Sequence, residues 1–258
     1  MEQIIKENFK VLTLFLEKID FNFYSKNDCS KEIEVKVKVE EDIFKKLKEA
    51  DTEYVTSKYE RNFMYDLKGQ DLKKDGVVCR VRRERDLRSG AQNILLTLKK
   101  RVETQDNFKE QIEIESKVSD EELEKLDSAL NESNLITWFL YEKFRHIFKV
   151  KDANVEIVVD VLPLIGRFIE IEGEREEILK ALKIIGIEEK DTQKSSYINL
   201  FKSHKRGTSN EYKFSQYEAF LVAEKEIMLI SENWPLSESS CGHSCSCCSH
   251  SCHSCSEE

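Results

Sequence analysis

The stretch KEIEVKVKV at residues 31–39 alternates charged and apolar side chains without interruption. This period of two is typical of a β-strand, because successive side chains point to opposite faces of a sheet. One face would carry Glu32, Glu34, Lys36 and Lys38, and the other would carry four β-branched residues. A solvated polar face is the ordinary interpretation of such a strand. Further strands with mixed acids and bases on one face would favour a second interpretation, in which these faces line a shared charged cavity.

Later segments repeat this pattern, with charged residues at every second position and mostly Val, Ile and Leu between them. Their charged faces hold Arg80, Arg82, Lys99, Arg101, Glu113, Glu115, Lys143, Arg145, Asp160, Glu170 and Glu172. Predicted helices interrupt the strands where an outer layer would be needed. We therefore predict an α+β fold, a closed eight-stranded antiparallel β-barrel with helices packed outside, because closure removes exposed strand edges. Its charged bore must be wet or filled by a charged ligand.

The composition is that of a charge-dense globular protein with a real core. The 258 residues are 40% hydrophobic and 35% charged, with a formal net charge of −9. An acidic total argues against a general nucleic-acid surface. No segment has the roughly 20 uninterrupted apolar residues of a membrane helix, and charges interrupt the apolar N-terminus, so we predict a cytoplasmic protein with no membrane partner. Six of the eight cysteines lie in the last 18 residues, which excludes a disulfide framework across the fold.

Four segments follow from the periodicity: a helical extension at 1–30, a tunnel domain at 31–205, an additional helix at 206–235 and a flexible tail at 236–258. The first helix could pack on the main domain or on a second subunit, so a homodimer is one of two expectations. The additional helix, at 211–230, is expected to lie against the barrel. Its apolar side would consist of Tyr217, Phe220, Leu221, Ile227 and Met228.

The residue types in the bore suit a small polyphosphate. Guanidinium groups offer paired donors to phosphate oxygens, and lysines supply point charge. Carboxylates in the same cavity need another role, and coordination of Mg²⁺ or Mn²⁺ is the obvious one.

The order of the charged motifs resembles that of the CYTH superfamily, the triphosphate tunnel metalloenzymes. Glu32-Ile-Glu34-Val-Lys36 resembles the family's ExExK signature. Similar motifs follow in family order: Asp75…Arg80-Val-Arg82, Leu96-Thr-Leu-Lys99, Lys143-Phe-Arg145, Asp160…Gly166-Arg-Phe-Ile-Glu170-Ile-Glu172 and Ser196-Tyr197. The chain departs from the pattern twice. It has Lys109, Gln111 and Glu113 where R-x-E-x-E is usual, with Glu115 as a possible substitute, and Val161 and Leu162 follow Asp160 where an acid is more usual.

The resemblance implies a tunnel that binds a triphosphate and divalent cations. Its substrate-binding residues would be Lys36, Arg80, Arg82, Lys99, Arg101 and Arg145. Mg²⁺ or Mn²⁺ would be held by Glu32, Glu34, Glu113, Asp160, Glu170 and Glu172. Lys143 is the candidate general base, and positioning and charge neutralisation should dominate the chemistry.

Three functions are compatible with this tunnel. The first is a metal-dependent triphosphatase that acts on inorganic tripolyphosphate or a small organic triphosphate. The second is a class IV-type adenylate cyclase, in which the ribose 3′-hydroxyl replaces water as the nucleophile. The third is a polyphosphate-binding module without turnover, which only Gln111 supports. No feature of the sequence decides between the hydrolase and the cyclase.

The tail carries a second set of candidate ligands. Nine cysteines and histidines fall within 15 residues: Cys241, His243, Cys245, Cys247, Cys248, His250, Cys252, His253 and Cys255. Thiolate and imidazole suit Zn²⁺, Cu⁺ or Ni²⁺, although the spacing matches no ordinary zinc finger. We predict a metallothionein-like chelating tail. The alternative is a low-complexity end with incidental redox sensitivity.

Overall fold

The computed structural model describes residues 9–19, 30–204 and 209–234. The strands of these ranges are β1 (Ser30–Val39), β2 (Thr52–Asp66), β3 (Val77–Asp86), β4 (Gln92–Val102), β5 (Lys109–Val118), β6 (Ile136–Val150), β7 (Val155–Leu162), β8 (Gly166–Gly173) and β9 (Glu211–Tyr212). The α-helices are α1 (Thr13–Lys18), α2 (Ile43–Glu49), α3 (Asp71–Lys74), α4 (Asp120–Glu132), α5 (Arg175–Ile184), α6 (Tyr197–Ser203) and α7 (Gln216–Asn233). Short 3-10 turns cover Lys10–Leu12 and Glu189–Asp191.

Eight strands close into an antiparallel barrel, as the alternation predicts. Around the barrel their order is β1-β5-β4-β3-β2-β6-β7-β8, and β8 pairs with β1. The two 15-residue strands β2 and β6 pair along almost their whole length and complete the closure. Strand β9 lies outside this ring and pairs in parallel with Leu140 and Tyr141 of β6.

The hydrophobic core lies between the barrel wall and the surrounding helices. Outward residues of β1, β7 and β8 pack against α2 and α5, while those of β3, β4 and β5 pack against α1 and α4. Val35, Ile157 and Ile171 are examples of fully buried outward residues, each worth about 1.5–3 kcal/mol of burial. Because the apolar faces are satisfied on the outside, the inward faces are free to be polar.

The N-terminal segment packs on the main domain. Phe9, Leu12, Phe15, Leu16 and Ile19 are buried in the same cluster as the outward residues of β3 and β4. This placement favours the first of the two expectations for the extension. In the described ranges, no helix is both long and apolar enough to cross a membrane.

The additional helix differs from its prediction at its start. It begins at Gln216, because Ser215 and Glu218 form a capping box there. The preceding residues, Glu211–Tyr212, are instead extended and form β9.

The prediction of which face of α7 meets the barrel is wrong. The predicted apolar side is exposed: Tyr217, Phe220, Leu221, Ile227 and Met228. Glu226 and Ile230 are buried instead. The physical reason is an ionic contact, since the Glu226 carboxylate accepts a hydrogen bond from Arg167 and lies 3.2 Å from the Nε2 atom of His146.

Candidate active site

The inward faces of the strands enclose a cavity of about 130 Å³. Its charged lining residues are Glu32, Glu34, Lys36, Arg80, Arg82, Lys99, Lys109, Lys143, Arg145, Glu156, Glu170 and Glu172. These side chains meet because antiparallel pairing sets inward residues directly opposite each other. Glu34 faces both Lys109 and Glu172 across its two neighbouring strands, and Lys36 faces Glu170.

One side of the cavity is rich in acids. This acidic wall consists of the lining residues Glu32 and Glu34 on β1 and Glu172 on β8, together with Glu113 on β5, which contacts the lining residue Lys99. Lys99 contacts Glu32 at 2.5 Å and Glu113 at 2.7 Å, and Lys109 contacts Glu34 at 2.9 Å. These two lysines therefore contact three of the four carboxylates, and a third lysine, Lys36, lies 3.6 Å from Glu34.

The carboxylates of the acidic wall repel one another. Partial burial and the nearby charge of Glu32, with a further contribution from Glu113 and Glu34, raise the pKa of Glu172 to about 8. Burial would also raise the pKa of Glu113, but the adjacent Lys99 ammonium lowers it to about 2. At neutral pH Glu172 is therefore mostly protonated, and a cation bound among these carboxylates would displace that proton.

The opposite side is rich in cations. This basic wall consists of Arg80 and Arg82 on β3 and Lys143 and Arg145 on β6. The Arg145 guanidinium donates to both carboxylate oxygens of Asp160, at 2.8 and 2.6 Å, and to Glu170 at 2.6 Å. Burial alone would raise the pKa of Glu170, but Lys36, Arg145 and Lys143 hold it well below its usual range.

The two arginines of β3 are held more loosely. Arg80 donates to Thr97 at 3.1 Å and to Glu115 at 3.3 Å. Arg82 lies 3.6 Å from Glu60 and 3.7 Å from Glu115. Their guanidinium groups line the cavity and keep donors that an anionic ligand could use.

A buried acid under the basic wall was not predicted from the sequence. Glu60 is fully buried, and its carboxylate lies 3.4 Å from Lys143, 3.6 Å from Arg82 and 3.8 Å from Arg145. Burial alone would raise its pKa, but these three cations keep the pKa far below the usual range. Glu60 therefore compensates the charge of the wall. The available signal was its position on the inward face of β2, in step with Asn62.

Helix α6 and the residues before it close one side of the tunnel. The Tyr197 hydroxyl donates to Asp160 at 2.8 Å, and the Lys36 ammonium lies 4.2 Å from the centre of the Tyr197 ring. Lys36 also contacts Glu170 at 2.8 Å and donates to the Ser195 carbonyl at 3.2 Å. This lysine ties the closing segment to the barrel.

Most tunnel candidates from the sequence line the one cavity. Asp160 and Glu113 are absent from its lining, but each contacts a lining lysine directly, at 2.9 Å from Lys143 and 2.7 Å from Lys99. Arg101 does not line the tunnel cavity. It is exposed and lines a second, adjoining cavity.

The remaining sequence predictions concern the departures from the family pattern and the C-terminal tail. Lys109 and Gln111 both line the cavity at the positions where the family pattern differs. The nine ligand candidates of the tail, at 241–255, lie outside the described residues. In the described part of the chain, no three acidic, imidazole or thiol side chains converge closely enough to form a ready-made metal site.

The described residues thus form a closed antiparallel tunnel with facing acidic and basic walls. The model of the CYTH domain matches residues 30–197. The chain belongs to the CYTH family.

Solved structures share this fold. The PH1819 protein of Pyrococcus horikoshii OT3 is 26% identical, with a TM-score of 0.54 over 66% of this chain and 97% of that one. A candidate adenylate cyclase of Vibrio parahaemolyticus is 21% identical, with a TM-score of 0.53 over 68% and 100%. HpAC1 of Hippeastrum, a candidate adenylyl cyclase with a dominant triphosphatase activity, is 16% identical, with a TM-score of 0.50 over 67% and 95%. No curated protein matches the chain.

Proposed function

We propose that the protein is a divalent-metal-dependent triphosphatase, which hydrolyses inorganic tripolyphosphate or a small organic triphosphate inside the tunnel. The observation that carries the proposal is the meeting of the acidic and basic walls in one cavity. Neither wall alone suits the reaction, because a triphosphate needs cationic side chains and hard metal ions need carboxylate oxygens. Membership of a family with triphosphatases and cyclases supports the same class of reaction.

The phosphates would be bound chiefly by Arg80, Arg82 and Arg145, with Lys99 beside them. The β3 arginines retain free donors, whereas Arg145 is already bound to Asp160 and Glu170. Lys36 and Arg101, the other two substrate-binding candidates, are less well placed. The Lys36 side chain is only 2% exposed, against 13% for Lys99 and 15% for Arg145, and Arg101 is exposed away from the tunnel. Their contact with substrate would follow only from rearrangement or from a long ligand.

The carboxylates fit a hard cation by their chemistry. Glu32, Glu34, Glu113 and Glu172 of the acidic wall would hold Mg²⁺ or Mn²⁺, and Asp160 and Glu170 could supply a second position. Burial and the neighbouring carboxylates raise the pKa of Glu172 to about 8, so a cation bound beside it would displace a proton. When bound, such an ion neutralises phosphate charge and lowers the pKa of water. The protein's own residues fix the phosphate chain and exclude bulk water.

Lys143 is our candidate general base for the attacking water. Its ammonium donates to Asp160 at 2.9 Å and lies 3.4 Å from Glu60, both buried carboxylates. This pairing holds the side chain at the tunnel wall, beside the guanidinium of Arg145. To accept a proton, Lys143 would first have to give one up, and substitution by arginine, which keeps the charge but cannot titrate, tests that role.

One experiment separates the three candidate functions. The protein is incubated with tripolyphosphate and, separately, with ATP, each with Mg²⁺ or Mn²⁺, and the products are resolved chromatographically. We expect orthophosphate from at least one substrate. Cyclic AMP with pyrophosphate would instead identify a cyclase. Tight binding without any product would identify a binding module and contradict the proposal.

We propose separately that the tail binds Zn²⁺, Cu⁺ or Ni²⁺. The density of cysteine and histidine at 241–255 supports this role, and catalysis should not need it, because the tunnel residues all precede the tail. Native mass spectrometry with added Zn²⁺ tests the proposal on the full chain and on a chain ending at residue 235. Equal uptake by the two chains would contradict it.

A further inference from the structure

Ammonium groups already occupy most of the acidic wall. Lys99 bridges Glu32 and Glu113, and Lys109 contacts Glu34. Among the described residues, no three acidic, imidazole or thiol side chains converge closely enough to hold a metal ion, and these lysines lie between the acids of the wall. A cation that binds among the same oxygens therefore competes with an ammonium group.

Lys109 is the more weakly held of the two lysines. Its ammonium lies 2.9 Å from the Oε1 atom of Glu34, the one carboxylate within 4 Å of it in the described part of the chain. Lys99 has two such partners, at 2.5 and 2.7 Å. The side chain of Lys109 is also more exposed, at 18% against 13%. A competing cation therefore displaces Lys109 more readily than Lys99.

The sequence of β5 provides a second acceptor for this ammonium. Residues 109 and 111 point to the same face of the strand, because side chains alternate. Residue 111 is a glutamine, and its Oε1 atom is buried without a hydrogen-bond partner. A buried carbonyl without a partner is costly, and an ammonium group would satisfy it. Gln111 carries no charge, however, so it does not draw Lys109 away from Glu34 by itself.

The protein has room for Lys109 to move. Lys109 and Gln111 both line the tunnel cavity and also the second cavity, which has a volume of about 440 Å³. The one carboxylate of the second cavity, Asp66, accepts hydrogen bonds from backbone amides, and Arg101 is a like charge on the same lining. The second cavity thus offers space but no free acid, which keeps Lys109 on Glu34 while the tunnel is empty.

We propose that Lys109 is an internal counter-ion of the acidic wall. Its ammonium holds Glu34 in the empty tunnel and moves towards Gln111 and the second cavity when a divalent cation binds. The contact spares the empty protein a buried carboxylate without a partner, and it raises the cation concentration that the tunnel needs. This inference rests on the proposed function for the position of the cation.

Binding of Mg²⁺ is measured first, by calorimetry and without any substrate. Lys109→Met removes the competing ammonium, and we expect it to lower the Kd for Mg²⁺ about tenfold, as changes beside metal ligands do elsewhere. The matched control is Lys31→Met, because Lys31 pairs at 2.8 Å with Glu110 on the outer face of the same two strands. The control should change the Kd less than about twofold. Equal tightening in both variants would overturn the inference, since any lost positive charge would then suffice.

Chemical labelling tests the movement itself in the unaltered protein. The chain is treated briefly with limiting acetic anhydride, with and without Mg²⁺, and the acetylation of each lysine is read by mass spectrometry. We expect Mg²⁺ to raise the labelling of Lys109 severalfold, because the released amine is no longer paired with a carboxylate. Labelling of Lys31 and Lys99 should not change. If Mg²⁺ binds and the labelling of Lys109 stays the same or falls, Lys109 is not displaced.

The outcomes separate this inference from the proposed function. Release of Lys109 by Mg²⁺ without hydrolysis of tripolyphosphate or ATP would support the counter-ion and contradict the triphosphatase. Mg²⁺-dependent hydrolysis without release of Lys109 would leave the triphosphatase and overturn the counter-ion. Absence of Mg²⁺ binding under all conditions would contradict both.

Discussion

Two regions of this molecule bury acids against bases, and only one of them can bind a substrate. The tunnel is one. The other, the α7 network, lies outside the barrel and consists of Ser57, His146, Arg167 and Glu226, all of them buried. Its distances are as short as those of the tunnel: the Ser57 hydroxyl lies 2.6 Å from His146 Nδ1, and Glu226 lies 3.2 Å from Nε2.

The two regions differ in the access that a ligand has to their charged groups and in how those charges are balanced. None of the four network side chains lines the tunnel or the second cavity, and Glu226 contacts Arg167 on one side and His146 on the other. The serine, histidine and glutamate have the order of a hydrolase triad, yet no substrate could reach them. In the tunnel, by contrast, acids and bases are separated into walls around open space. Buried charge therefore indicates a site only where a cavity meets it.

The largest expected effect comes from Arg145→Ala in the basic wall. Loss of a preorganised donor to the phosphates, with Asp160 and Glu170 left without their guanidinium, should lower kcat about a thousandfold. Phosphate release from the preferred triphosphate at saturating Mg²⁺ measures this. The matched control is Arg167→Ala in the α7 network, whose folded fraction should remain active. If the two variants had comparable activity, the tunnel and the α7 network would not differ in function.

The second prediction concerns the α7 network. Glu226→Gln removes the charge that pairs with Arg167, and it should lower the free energy of unfolding by about 2 kcal/mol, the range for hydrogen bonds to charged groups. Chemical denaturation measures the loss. Activity per folded molecule should not change. A variant of unchanged stability but reduced activity would show that the network belongs to the functional site.

A smaller effect is expected for the acidic wall. Glu34→Gln should raise the Mg²⁺ concentration for half-maximal activity about tenfold, since one candidate oxygen ligand loses its charge. The control is Glu110→Gln, because Glu110 lies opposite Ile33 on the outward face and pairs with Lys31 at 2.8 Å. If both variants shift the Mg²⁺ dependence equally, the acidic wall is not the cation site.

The smallest effect is a dependence of stability on pH. The pKa of Glu172 is about 8 in the folded protein and near 4.5 in the unfolded chain. The unfolded state therefore releases this proton first, and the folded state loses stability as pH rises from about 4.5 to 8. Although part of Glu172 is buried, more than a third of the residue stays exposed, so solvent screens the interaction and the loss should be well under about 1 kcal/mol.

Glu172→Gln tests this linkage. Melting temperatures are measured in chelator at several pH values for both proteins. The variant and the wild type should be similar near pH 5, and the variant should be relatively more stable at pH 9. Parallel pH profiles would argue against an uncompensated carboxylate in the acidic wall.

The sequence predicted the barrel because an unbroken period of two is a local signal. Glu32, Lys36 and Glu170 could be placed on one face by counting, and the family motifs fixed their order. Glu60 was not identified from the sequence because its strand carries Asn62 and Met64 on the same face, so no long run of charges marks it. Its role depends on Lys143 and Arg82, which pairing across β2 brings together.

Two other placements, those of Arg101 and of α7, differ from the simple pattern for a common physical reason. Arg101 continues the alternation of β4, but it is exposed beside Gly76 at the strand's end and lines the second cavity. The orientation of α7 was set by Arg167 and His146 on two separate strands, against the preference of its own apolar residues. Periodicity reports the direction of a side chain, but the surroundings it meets depend on distant parts of the chain.

The alternation of faces along each strand also bears on how such a barrel can diverge. Val35 anchors the outer core while its neighbour Lys36 faces the tunnel, so residues for folding and residues for chemistry alternate on one backbone. Substitutions at inward positions leave the outer packing intact, and the outer core can be repacked without altering the bore. A barrel built this way can change its ligand without disturbing the outer core, provided that buried inward charges are exchanged together with their partners.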